Sequence, residues 1–209
     1  FSSIEGWRRK KKMKILVEIN HPKDVNTFKN VIWKLEERGH TVKIAARNKE
    51  NVFEKLKEYG FSYYKGNHYR GMFQKILGLP KVQFWLYRIA REFKPDLFIG
   101  PSSVYSSYVS KVFGKPYICI SDVEKDFTFK FIMPFTDIIL VPSCFERDLG
   151  GKEIRFNSYT ELFYLHPENF KPNPRVLEYL GLSKGDKYVL MRISSLDAFH
   201  DVGAKGMNF

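Results

Sequence analysis

MKILVEINHPKDVNTFKNVIWKLEERGHTVKIAAR, residues 13–47, contains one complete unit of α/β folding. The apolar run 15–19 reads as a strand and Asn20-His21-Pro22 as a polar turn. Val25, Phe28, Ile32 and Leu35 recur at helical spacing, Gly39 stops the helix, and 42–46 is a second strand. That order predicts two parallel strands joined by a crossover helix. The polar turn then lies at a carboxyl strand end, where open parallel sheets bind ligands. It carries none of the glycines of a dinucleotide fingerprint, which argues against hydride transfer.

The same alternation continues outward. Val52, Leu56 and Tyr59 mark a helix stopped by Gly60, and 61–64 is a short third strand. After a glycine- and aromatic-rich stretch at 66–71, Val82, Leu86, Ile89 and Phe93 form a longer apolar stripe that Pro95 stops. A fourth strand follows at 96–100. Val104, Tyr108 and Val112 line a helix closed by Gly114, and 117–121 is strand five. A short helix at 127–133 leads into strand six at 137–141. Six strands alternating with helices predict an α/β fold, a Rossmann-like doubly wound parallel sheet over residues 13–158.

From 159 the character changes. LHPENFKPNP is proline-punctuated and reads as part of a linker, 159–185, with a short helix at 176–180 ending at Gly181. Another apolar strand is expected at 187–193, followed by a dense polar set. A lone strand cannot stabilise itself, so 186–209 is read as the first strand and loop of a second, truncated domain, or else as a tail docked on the first.

Composition sets further bounds. With 44% hydrophobic and 16% aromatic residues the chain can bury a core. No apolar run approaches the ~20 residues of a membrane span, and no hydrophobic signal-peptide core follows the basic leader FSSIEGWRRKKK. Met13 reads as the natural start, which makes 1–12 a disordered extension or tag. That leader supplies +4 of the net +12, leaving +8 spread along the chain. Nucleic-acid binding would want clustered cations with interleaved aromatics, and neither is seen. A positive field instead suits a phosphorylated or nucleotide-linked substrate, peripheral contact with an anionic membrane, or simply a solvated lysine-rich surface. The only cysteines, Cys119 and Cys144, suggest neither a disulfide framework nor a thiolate metal site, so a reducing cytoplasm is expected.

Three strand ends carry polar clusters: Asn20 and His21 after strand one, Ser102 and Ser103 after strand four, Asp122 and Glu124 after strand five. In the strand order 3-2-1-4-5-6 these would converge on one cleft at the topological switch point. Ser102 and Ser103 precede a helix, where they can hold an anion or serve as plain helix caps. Asp122 and Glu124 suit a general base or sugar-hydroxyl ligands, or else a solvated turn. His21 suits a proton carrier or phosphate donor, or a structural histidine before proline. In the tail, Arg192, Ser194, Ser195, His200 and Asp201 form a dense polar set, whose arginine and serines suit a diphosphate, or else a disordered truncated end. No HExxH, P-loop, GxSxG or CxxC motif occurs, which weakens metalloprotease, NTPase, hydrolase and redox readings.

The opening stretch, ICISDVEKD, YTELFYLHPENFKPNP and YVLMRISSLDAFHDVGAKG together resemble the archaeal and bacterial proteins of domain of unknown function 354. The resemblance covers nearly all of 13–206; its most specific parts are the NHP turn and the tail. That family looks like the GT-B superfamily, akin to UDP-N-acetylglucosamine 2-epimerases and MurG-type glycosyltransferases, in which two Rossmann-like domains face each other across a cleft. The resemblance implies the N-terminal part of a sugar-nucleotide enzyme, performing glycosyl transfer or epimerisation, with no cofactor and no obligatory metal. It makes His21, Asp122 and Glu124 catalytic candidates. Asn20, Ser102, Ser103, Arg192, Ser194, Ser195, His200 and Asp201 become substrate-binding ones. The expected ligand is a nucleotide-sugar, and the expected partner a separately encoded C-terminal half or a second copy. With most of the donor domain absent, the chain is expected to be inactive by itself. The rival reading is a non-catalytic Rossmann-like module that binds an anionic ligand or a partner subunit.

Overall fold

The computed structural model describes residues 12–69, 72–124 and 126–191. Its centre is a parallel sheet of seven strands in the order β3-β2-β1-β4-β5-β6-β7. The strands are β1 (Lys14–Ile19), β2 (Thr41–Arg47), β3 (Tyr63–Gly66), β4 (Leu97–Gly100), β5 (Tyr117–Ile120), β6 (Ile138–Pro142) and β7 (Glu153–Phe156). The helices are α1 (Pro22–Glu37), α2 (Val52–Glu58), α3 (Met72–Phe93), α4 (Val104–Val112), α5 (Phe129–Ile132), α6 (Leu162–Leu165) and α7 (Arg175–Tyr179). Every ladder is parallel, with Val17 opposite Ile44 on one side and Ile99 on the other.

Two cores lie on opposite faces of the sheet, and the strand period of two sorts residues between them. Ile15, Val17 and Ile19 of β1 join Val25, Phe28 and Ile32 of α1 and Val52 and Leu56 of α2. Leu16, between them, joins Leu86, Ile89 and Phe93 of α3, Val109 of α4 and Phe129 of α5 on the other face. Strands buried on both faces read as continuous apolar runs, which is why β1 and β2 were visible in sequence. Glycine ends α1 as expected: Gly39, at φ 83, donates to the Glu36 carbonyl, and His40 to that of Leu35.

The structure corrects the sequence expectation in four places. The third strand runs 63–66 rather than 61–64, because the Phe61 ring stacks on Trp33 at 5.4 Å instead of entering the sheet. A seventh strand, Glu-Ile-Arg-Phe at 153–156, pairs with β6. It is short and charged, as edge strands that resist further pairing are. α3 begins at Met72, ten residues before the first residue of the stripe read at Val82, and continues through Pro80. The expected strand at 187–193 does not form over 187–191. Tyr188 to Met191 are exposed there, and an apolar segment needs a neighbouring strand to satisfy its backbone.

Within the stretch read as linker, α6 packs on α1. Asn30 Nδ2 donates to the Phe163 carbonyl at 2.7 Å, and the Phe163 ring lies 5.4 Å from Phe156.

Candidate functional site

The turn after β1 is built by its own sequence. His21 caps α1, its Nδ1 accepting from the Lys23 amide at 3.1 Å, and Pro22 fills the first helical position, where no amide is needed. Asp24 closes the capping box: its carboxylate accepts from the Asn20 and His21 amides at 2.8 and 2.9 Å. Burial pushes the Asp24 carboxyl up to about 6, against the pull of those two amides. With Nδ1 accepting, the neutral imidazole of His21 keeps its proton on Nε2, which lies 3.6 Å from Glu50 Oε1.

At the end of β4, Ser103 caps α4 through a 3.2 Å bond from the Tyr105 amide, and Ser102 donates to Asp126. Asp126 in turn accepts from the Thr128 amide and hydroxyl at 2.8 and 2.6 Å. Removing the cap with Ser103→Ala is expected to cost about 1 kcal/mol of stability, read from urea unfolding. An unchanged midpoint would show that α4 does not depend on it.

These two strand ends open onto a cavity of about 540 Å³. Asn20, His21, Ser102, Ser103 and Thr128 line it, as do Arg47, Lys49, Tyr69 and Tyr105. Of the sequence candidates, Asn20, His21, Ser102 and Ser103 are thus brought together. Asp122 and Glu124 are not among the lining residues. Asp122 is held by the Lys23 ammonium and the Thr160 hydroxyl. Burial alone would raise its carboxyl, but these two partners hold it below the usual value. A carboxylate so held is a poor proton acceptor near neutrality and a good anchor. Glu124 accepts from the Glu146 amide at 2.9 Å. Arg192, Ser194, Ser195, His200 and Asp201 lie outside the described residues.

Sequence reasoning missed Glu18, Arg47, Lys49 and Tyr105. Arg47 ends β2 and Lys49 follows it, and the same strand-end argument applied there would have found them. Glu18 was signalled by an acid inside an apolar strand. Among the described residues no three His, Cys, Asp or Glu side chains are grouped as a metal would require. Nor is any helix there long and apolar enough to cross a membrane.

A parallel sheet of this order, flanked by helices and with a cavity at its switch point, is a Rossmann-like α/β fold. The chain belongs to the family described as "Protein of unknown function (DUF354)", whose model matches residues 13–205. Among curated proteins none matches it. Solved structures do. The S. aureus MnaA–UDP co-structure is 12% identical with a TM-score of 0.57, over 81% of this chain and 51% of that one. UDP-GlcNAc 2-epimerase from Methanocaldococcus jannaschii is 12% identical with a TM-score of 0.53, over 63% of this chain and 40% of that one. MurG from Acinetobacter baumannii is 15% identical with a TM-score of 0.52, over 62% and 41%. At such identities the likeness is one of fold, and the chain spans two-fifths to half the length of these proteins.

Proposed function

We propose that this chain is the N-terminal part of a GT-B-like sugar-nucleotide enzyme that performs glycosyl transfer or sugar epimerisation. In this reading 13–158 form the first Rossmann-like domain, 159–185 lead out of it, and 186–209 open the second. The observation that carries the proposal is the cavity at the carboxyl ends of β1, β2 and β4, which gathers Asn20, His21, Ser102 and Ser103 on one wall system. His21, with Nε2 carrying the ring proton, is the group there suited to proton transfer, and Asn20 and Ser102 suit sugar hydroxyls. The nucleotide would sit against the second domain, whose tail residues Arg192, Ser194, Ser195, His200 and Asp201 would begin the diphosphate contacts. By itself the 209-residue chain binds sugar without turning it over.

Saturation-transfer NMR tests this on the chain as it stands, using UDP-N-acetylglucosamine and an uncharged glycoside of N-acetylglucosamine. Saturation should reach the sugar protons and disappear in Ser102→Trp, which fills the cavity, while no product accumulates. Absence of saturation with either ligand would sink the site assignment, and enzyme-like turnover would sink the incomplete-site argument.

One observation favours the rival reading, a non-catalytic module for an anionic ligand or partner subunit: Asp122 is engaged by Lys23 and Thr160 rather than presented to the cavity. Native mass spectrometry showing a stable monomer that binds ligand and no second chain would support it.

A further inference from the structure

Glu18 is the least expected side chain in the sheet, a carboxylate 1% exposed in an otherwise apolar strand. Burying an ionised carboxylate costs several kcal/mol unless hydrogen bonds satisfy it. Here both oxygens are used. Oε1 accepts from Asn20 Nδ2 at 2.9 Å and Oε2 from the Ser106 hydroxyl of α4. This fixes the Asn20 amide, since its nitrogen must face Glu18 and its oxygen must face away. That oxygen accepts from Arg47 Nε at 2.7 Å. The Arg47 guanidinium also lies over the Tyr105 ring, 4.8 Å from its centroid. The hydrogen bond and the aromatic ring together hold the cation in position.

An arginine placed only for stability would be expected to face an acid. Arg47 forms no ion pair among the described residues, and it lines the cavity. Lys49 lines it too, and its Nζ lies 3.9 Å from the exposed Glu50 carboxylate. Glu50 sits at φ 51, a left-handed backbone for a non-glycine residue, with that carboxylate also 3.6 Å from His21 Nε2. A carboxylate of the chain itself therefore occupies the rim between Lys49 and His21.

We propose that this cavity binds an oxyanionic group of its ligand, a phosphate or a carboxylate, between Arg47 and Lys49, with Asn20 and Glu18 as positioning residues for Arg47. The inference rests on the cavity being the ligand site and adds the charge of what it takes. A planar guanidinium fork matches an oxyanion in two parallel hydrogen bonds. A cavity of this size holds more than a phosphate, so the anion is one part of a larger ligand. Glu50 is the group the incoming anion displaces.

The test is amide NMR of the whole chain titrated with inorganic pyrophosphate, with tartrate as the carboxylate counterpart. Shifts are expected at Asn20, His21, Ser102 and Ser103, and the stronger of the two probes identifies the source of the oxyanion. Arg47→Met keeps the stem on Tyr105 and should weaken binding about tenfold or more, as loss of a charge-assisted pair does. Glu50→Gln should tighten it. Glu18→Leu should weaken binding as Arg47→Met does, Glu18→Gln should restore it, and the Glu18→Leu/Arg47→Met double variant should bind no worse than Arg47→Met alone. A merely structural Glu18 would change the unfolding midpoint and leave the affinity of the folded protein untouched. Unchanged affinity in Arg47→Met, or shifts scattered over surface lysines, would overturn the proposal. Shifts at the cavity amides with the uncharged glycoside but with neither anion would overturn it alone and leave the site assignment standing. No response to any of the three overturns both.

Discussion

Tyr117→Ala is expected to remove about 3–5 kcal/mol of stability, whereas Tyr117→Phe removes about 1 kcal/mol. Tyr117 is the largest fully buried side chain in the protein's described residues, at the start of β5 and opposite Phe98 of β4. Its ring fills the core beneath α4 and α5, so truncation leaves a cavity among side chains that can only partly close it. Its hydroxyl donates to the Pro101 carbonyl, and Pro101 lines the functional cavity. Burial drives the phenol well above its ordinary value, so it stays a neutral donor at working pH. Gly100 is what admits the ring: a Cβ there would lie 3.4 Å from the Tyr117 hydroxyl and 3.2 Å from Glu18 Cβ. The alanine variant should therefore lose stability and also slacken the β4 end of the cavity, while the phenylalanine variant changes chiefly the latter. Domains have only about 5–15 kcal/mol to lose. Urea unfolding of both variants decides it, and an alanine variant within about 1 kcal/mol of the parent would refute the packing argument.

The second large effect is a pH dependence centred on Asp24. In the unfolded chain its carboxyl titrates near 3.9, and burial raises the folded value to about 6. The folded state thus binds the proton more tightly, and between about pH 4 and 6 stability falls as pH rises. Above that window the penalty is full, up to about 2–3 kcal/mol, with partial solvent contact making this an upper bound. Asp24→Asn keeps an oxygen for the Asn20 and His21 amides and removes the charge. It should therefore approach the parent as pH falls below about 4 and exceed it in urea midpoint at pH 7.5. Asp122 acts in the opposite sense: its lowered carboxyl contributes stability that is lost only as pH falls through the acidic range below the ordinary value. The two are separable by window. Parallel pH profiles for the parent and Asp24→Asn would refute the assignment.

Most of the fold was legible because five strands are buried on both faces and read as apolar runs. What was hidden follows different physics. Ile154 and Arg155 of β7 are exposed, so the strand leaves no hydrophobic trace. The third strand was displaced by a long-range stack between Phe61 and Trp33 that local pattern does not encode. At the site, Asn20, His21, Ser102 and Ser103 were found because strand-end position and residue type agree. Arg47 was passed over although it directly follows the strand read at 42–46, where the strand-end rule covers it. Asp122 reads as a free strand-end acid until the chain's return brings Thr160 against it, a contact 38 residues away in sequence.

That return has a practical side. Thr160 reaches Asp122, Glu161 lies 3.6 Å from the Lys23 ammonium, and Phe163 is gripped by Asn30. Anyone trimming the gene for crystallisation or fusing a reporter to this half would do well to cut beyond α6, near the proline-rich run that follows it. A cut at 158, where the composition changes, would strip α1 of its cover and leave Lys23 and Asp122 facing each other without their third partner.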